Sequence, residues 1–202
     1  YTFHLRQDQY WHDGEPVTAD DVIFTYGVLQ DPELYSLPGL ASLWRSVNVE
    51  KLVDYTVRLT LSEPFTPFLD YTAMGLLPEH IWRDMPPAEL ATTALDRAPI
   101  GNGPLKVATI AADHIRLEPS PFYAGKQPYL DALELRFYPD LPSLFTAYEA
   151  GEIEGISQIA PEDIPAVAAR EDLQLFSSAQ SSYLSIVLNL ANPKGLPDEM
   201  QR

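Results

Sequence analysis

The sequence predicts a mixed α/β (α+β) fold of hairpins, short helices and a mixed sheet. Three observations carry this. Apolar residues alternate with period two at Tyr1, Phe3, Leu5 and again at Tyr55, Val57, Leu59, Leu61. Between those runs lies a capped stretch with helical period, Thr18 to Gln30. Helix- and strand-like segments then interleave along the chain without an internal repeat. The 202 residues suffice for a real core, with 46% hydrophobic and 21% charged residues.

Each element has a local cause. Tyr1 to Arg6 reads as a half-buried strand, ended by the tight turn at Asp13-Gly14. Thr18 can cap a helix over 19–30, with Asp20 and Asp21 in the first turn where the helix dipole favours negative charge. Asp31-Pro32 ends it, and 31–49 reads as loop around an apolar Leu43-Trp44. Tyr55 to Leu61 is a second strand. A short helix is expected at Thr66 to Tyr71, then a loop and a further helical turn before Ile81, then short helix and loop over 84–99. Ile100-Gly101-Asn102-Gly103-Pro104 is a turn cluster that leads into a hairpin, Leu105 to Ile110 and His114 to Glu118. Leu133 to Phe137 is a strand. Leu141 to Ala150 is a helix with Asp140 as cap and Gly151 as its stop. Ile153 to Ile156 is expected as a short strand, Pro161 to Arg170 as helix, and Leu173 to Phe176 and Tyr183 to Leu190 as the last strands.

Composition excludes several functions. Thirteen Lys and Arg against 29 Asp and Glu leave a net charge of −16, which argues against nucleic acid and against anionic lipid surfaces. The absence of cysteine removes thiolate catalysis and Cys metal sites. No apolar run reaches the length of a membrane span. His4, His12, His80 and His114 have no metal-binding spacing, so no metal ligand and no cofactor are expected. There is no GxSxG elbow and no phosphate loop. Glu152 and Glu154 would share a strand face and could serve glycoside chemistry, but solvated carboxylates are the favoured reading. The expectation is therefore no catalytic residue and no enzyme. The chain opens directly into a strand and reads as cut out of something longer.

The run Tyr1-Thr2-Phe3-His4-Leu5-Arg6, followed by Trp11-His12-Asp13-Gly14-Glu15-Pro16-Val17-Thr18-Ala19-Asp20-Asp21-Val22, resembles the signature of the family 5 extracellular solute-binding proteins. Leu59 to Phe65, Leu77-Pro78-Glu79-His80, Pro99 to Pro104, Ala150 to Glu154 and Tyr183 to Asn189 resemble later family segments in the same order. Glu79 stands where the family commonly has Lys, and Asn102 where it has Thr.

The resemblance implies a class II periplasmic-binding-protein lobe that closes on its ligand by hinge motion. It implies an extracytoplasmic receptor of an ABC importer, periplasmic or lipid-anchored, partnered by permease subunits and capturing oligopeptides or similar solutes. An oligosaccharide or nickel chelate is the alternative ligand, the sugar reading drawing on Tyr35, Trp44 and Trp82 as stacking faces. Family members are more than twice as long, so the chain reads as part of the first lobe. Roughly 8–100 would be a helical and loop subdomain, and roughly 101–202 a sheet-rich part leading to the hinge. An uncovered lobe surface would favour a homodimer. One wall of the cleft is expected from Tyr35, Met74 and Gly75 within the Tyr71 to Leu76 loop, Asn102, Ser157, Gln158, Ser182 and Tyr183. Asn189 is expected to tie loops together. The segment 11–22 is expected to be structural.

Overall fold

A computed structural model describes residues 1–32, 38–86, 89–90, 99–157, 159–171 and 173–177. The chain divides into two compact units, Tyr1–Leu141 and Pro142–Arg202. The boundary expected near residue 100 lies inside the first unit.

Among the described residues, the first unit holds two three-stranded sheets. Strands β1 (Thr2–His4), β2 (Val47–Val53) and β3 (Thr56–Leu61) pair in the order β1-β3-β2. Strands β4 (Leu105–Ile110), β5 (His114–Pro119) and β6 (Leu133–Arg136) pair in chain order. Every pair between these strands is antiparallel, where the sequence reading expected a mixed sheet. Among the described residues, this unit includes the helices α1 (Ala19–Gln30), α2 (Pro38–Arg45), α3 (Phe68–Tyr71) and α4 (Glu79–Trp82). The last of the described helices are α5 (Leu141–Glu149), which begins at the unit boundary, and α6 (Ile164–Ala168).

Register explains the core. Phe3 opposes Val57, Val49 opposes Leu59 and Val47 opposes Leu61, so these side chains share one face of the first sheet. On that face Val57 and Leu59 pack with Val22 and Tyr26 of α1, Trp44 of α2 and Phe68 of α3. The Tyr26 and Trp44 rings stand 4.1 Å apart, and Trp44 and Phe68 stand 5.6 Å apart. Lys51 falls at the rim of this face opposite Val57 and ends in ion pairs with Asp20 (2.7 Å) and Asp54 (3.0 Å).

Residues 31–49 are therefore more than loop. The stretch around Leu43-Trp44 is a helix and 47–53 is a strand. Gln30 at the end of α1 ties them in, its amide donating to Trp44 O (2.9 Å) and Val47 O (2.7 Å). The expected strands at 153–156 and 173–176 do not form. Helix α5 ends instead in a Schellman motif: Gly151 takes φ +73, its N–H donates to Tyr148 O (2.9 Å), and Glu152 N–H donates to Ala147 O (2.9 Å). Glu152 is thus spent on a helix cap, and with Glu154 it is exposed to solvent. The expected strand at 183–190 lies outside the described residues.

Candidate functional site

The site is built from two loops of the first unit, each fixed by a buried or half-buried polar side chain. The first loop runs from α3 to α4 and carries Met74 and Gly75. It is pinned from α1. Thr18 caps the helix as expected, and with Asp21 it closes a capping box: Thr18 Oγ1 accepts from Asp20 N–H (3.2 Å), and Thr18 N–H donates to Asp21 Oδ2 (2.8 Å). Asp21 then does more. Its Oδ1 accepts the Glu79 N–H at 2.9 Å, across 58 positions of chain. One turn on, Thr25 Oγ1 accepts the Leu77 N–H (2.8 Å) and donates to Asp21 O (2.7 Å). Asp21 and Thr25 are each only 3% exposed. Buried polar groups at i and i+4 on one helix face therefore hold both ends of the Leu77–Glu79 backbone.

Met74 and Leu76 lean back against the core cluster. With Thr72, Val22, Tyr26, Phe3 and Leu59 they line a cavity of about 180 Å³. Burial pushes the Tyr26 phenol above its ordinary pKa, so its hydroxyl stays protonated. Gly75 is exposed and has open space where a Cβ would stand.

The second loop is the turn at 100–104, with Asn102 exposed at its tip. His12 holds it. His12 Nδ1 accepts the Gly101 N–H (3.2 Å), which leaves Nε2–H to donate to Gly103 O (3.1 Å), and His12 N–H donates to Gly101 O (2.8 Å). The neighbouring residues complete a hub. Asp13 Oδ2 meets His80 Nε2 at 2.8 Å, joining this turn to α4. Partial burial opposes ionisation of Asp13, but the His80 hydrogen bond and the Glu15 N–H outweigh it and hold the carboxyl below its usual range. Gly14 takes φ +94 with the Phe122 ring 3.0 Å from where a Cβ would be, so two constraints favour glycine there. The segment 11–22 is structural, as expected, and it organises both loops.

Of the expected ligand-wall residues, Met74, Gly75 and Asn102 lie in the first unit and Ser157 in the second. Ser157 is exposed in a bend. Neither Asn102 nor Ser157 lines the cavity beneath Met74. Tyr35, Gln158, Ser182, Tyr183 and Asn189 lie outside the described residues. Trp44 and Trp82 do not offer stacking faces: Trp44 is fully buried at 0% exposure, and Trp82, 7% exposed, packs with Val28 and Leu90. The aromatic argument for a sugar ligand loses these two residues. Among the described residues no group of His, Asp and Glu is placed to hold a metal ion, and no helix is long and apolar enough to cross a membrane. Sequence reasoning missed Asp21, Thr25 and His12 as organisers. The i, i+4 spacing of the first two was the available signal. Nothing local pointed from His12 to a turn 89 positions away.

Comparison with known proteins places this arrangement among bacterial solute-binding receptors. NikZ from Campylobacter jejuni, solved with Ni(L-His), superposes with a TM-score of 0.72 at 25% identity, over 85% of this chain and 34% of that one. The oligopeptide-binding protein AppA from Bacillus subtilis, solved with a nonapeptide, superposes with a TM-score of 0.68 at 30% identity, over 76% of this chain and 31% of that one. The family model for bacterial extracellular solute-binding proteins, family 5, middle region, matches residues 1–196, and the chain belongs to that family. In sequence alone, B. subtilis AppA is 30% identical over 198 residues, which is 95% of this chain and 36% of AppA. A Brucella ovis protein named for ABC-transporter peptide binding is 36% identical over 157 residues, 76% of this chain and 29% of the relative. The chain thus spans about a third of the length of these relatives.

Proposed function

We propose that this chain is one wall of an ABC-importer receptor that captures oligopeptides in a cleft between lobes. The observation that carries the reading is the collinear match to AppA over 95% of the chain, taken with the nonapeptide in the AppA structure. The Tyr71 to Leu76 loop and the Asn102 turn supply ligand contacts. Both are surface loops on rigid supports, the arrangement binding sites favour. Ser157, Gln158, Ser182, Tyr183 and Tyr35 are further ligand contacts in this reading, and the protein turns over no substrate. Its partners are permease subunits, and it works outside the cytoplasm. The likeness to NikZ keeps a nickel chelate as the second reading.

The test is capture by the intact protein from a pool of synthetic nonapeptides, with Ni(L-His) as the competing probe. Peptide capture that Gly75→Trp abolishes, without loss of thermal stability, supports the reading. A Cβ at Gly75 meets no neighbour within 4 Å and the residue is exposed, so the added bulk is directed at ligand, and the unchanged thermal stability checks that packing is kept. Capture of Ni(L-His) and of no peptide transfers the function to the second reading.

A further inference from the structure

We propose that Asp21 and Thr25 are positioning residues for ligand affinity: they fix the backbone at Leu77 and Glu79 and thereby hold Met74 and Gly75 in the ligand wall. The proposal rests on the reading that this loop meets ligand. A helix cap alone needs one oxygen of Asp21, the one that accepts Thr18 N–H. Its other oxygen, and the Thr25 hydroxyl, serve a segment 52 to 58 positions away. That segment has little structure of its own. Between Thr72 and Pro78 its internal backbone bonding is thin, with Met74 N–H to Thr72 O (2.9 Å) as its short-range link. Its position is set by what it is tied to, and the ties are two buried side chains on α1.

The same helix also sets the floor. Val22 and Tyr26 line the cavity against which Met74 packs. Polar and apolar residues of one helix thus place one loop. Removing the Thr25 hydroxyl leaves the half-buried N–H of Leu77 without its partner, and the loop can satisfy it by moving toward water. A loop that must be re-ordered by ligand binds with an affinity reduced by the fraction of time it is misplaced.

The experiment uses the intact protein and compares Thr25→Val, Thr25→Ser and Val28→Ala. Val28 lies on the same helix in a separate apolar cluster and controls for simple destabilisation. Hydrogen exchange at Leu77, thermal stability and dissociation constants for the nonapeptide pool are measured. Thr25→Val should speed exchange at Leu77 and weaken binding, each by about tenfold or more. Thr25→Ser should restore both, and Val28→Ala should lower stability with binding unchanged. Loss of stability in Thr25→Val with unaltered Leu77 exchange or unaltered binding overturns the proposal. If the pool is not captured at all, or Met74→Ala and Gly75→Trp leave capture unchanged, the functional reading fails and the proposal with it. If those two variants weaken capture while Thr25→Val does not, the positioning role alone fails.

Discussion

Single side chains in this protein carry long-range order out of proportion to their number. His12 ties its own turn to the turn at 101–103 through both ring nitrogens and its backbone N–H. Asp13, next in sequence, ties the same hub to His80. The pH dependence of that tie has a definite sign. The folded carboxyl of Asp13 is depressed, so its contribution is complete above the unfolded value of about 3.9 and is lost as pH falls through the lower folded value. Thermal melts of wild type and Asp13→Asn should therefore converge as pH is lowered below about 4 and stay separated near neutrality. A constant gap across that range would show that the Asp13 carboxylate is not the group at work. Arg6 does the same to Asp8 locally, holding that exposed carboxyl at about 2 by a paired hydrogen bond of 2.7 and 2.9 Å.

At the scale of elements, α1 is the organiser of the first unit. Its N-terminal cap, its polar pair and its apolar stripe act on three different neighbours. Thr18→Ala removes the cap acceptor and should cost about 1 kcal/mol in denaturant unfolding, with Thr18→Ser nearly neutral. Among the described side chains of α2, Trp44 is the buried one. Trp44 is enclosed by Tyr26 and Phe68, so Trp44→Ala should cost about 3–5 kcal/mol. A cost below 1 kcal/mol would mean that the core closes over the space. Among the described residues, the buried indole N–H groups of Trp11 and Trp44 find no hydrogen-bond partner. The second sheet is amphipathic by register. Ile110, Ile115 and Leu135 share one face with Val107, Leu117 and Leu133, while Lys106, Arg116, Glu118 and Glu134 share the other. The irregularity between Val107 and Thr109 keeps Ile110 on the apolar side.

For the whole chain, that apolar sheet face bears on association. Leu135 is 45% exposed and Ile110 50%. Apolar surface of this kind favours self-association. Light scattering on the 202-residue chain should give a mass that rises with concentration, and Leu135→Glu should return it to that of a monomer. A monomer mass for the unaltered chain at high concentration would sink this. The net charge of −16 opposes close approach, so the association should strengthen with salt.

Much of this was written locally. The bounds of α1 follow from a Thr-Ala-Asp-Asp cap, a helical apolar period and a Pro after Asp31, all within reach of short-range forces. The β4–β5 hairpin follows from alternation on both sides of a short turn, and the family from turn and cap residues in a fixed order. Met74, Gly75 and Asn102 could be nominated only through the family resemblance, which implies that the 71–76 loop and the turn at Asn102 face the ligand. What needed tertiary structure is whatever depends on a distant partner. Val47–Val53 becomes a strand because β3 offers it a ladder, despite Lys51 breaking its apolar alternation. Ile153 to Ile156 forms no strand, and the Glu152 N–H just before it closes the cap of α5. Trp44 lies in the core because α1 and α3 close on it, so a residue that could have faced a ligand serves packing instead. The second oxygen of Asp21 finds Glu79 only after the chain has folded back across 58 positions. Short-range sterics and hydrogen bonding can be read along a sequence. Which buried polar group meets which distant backbone is decided by the packing that brings them together.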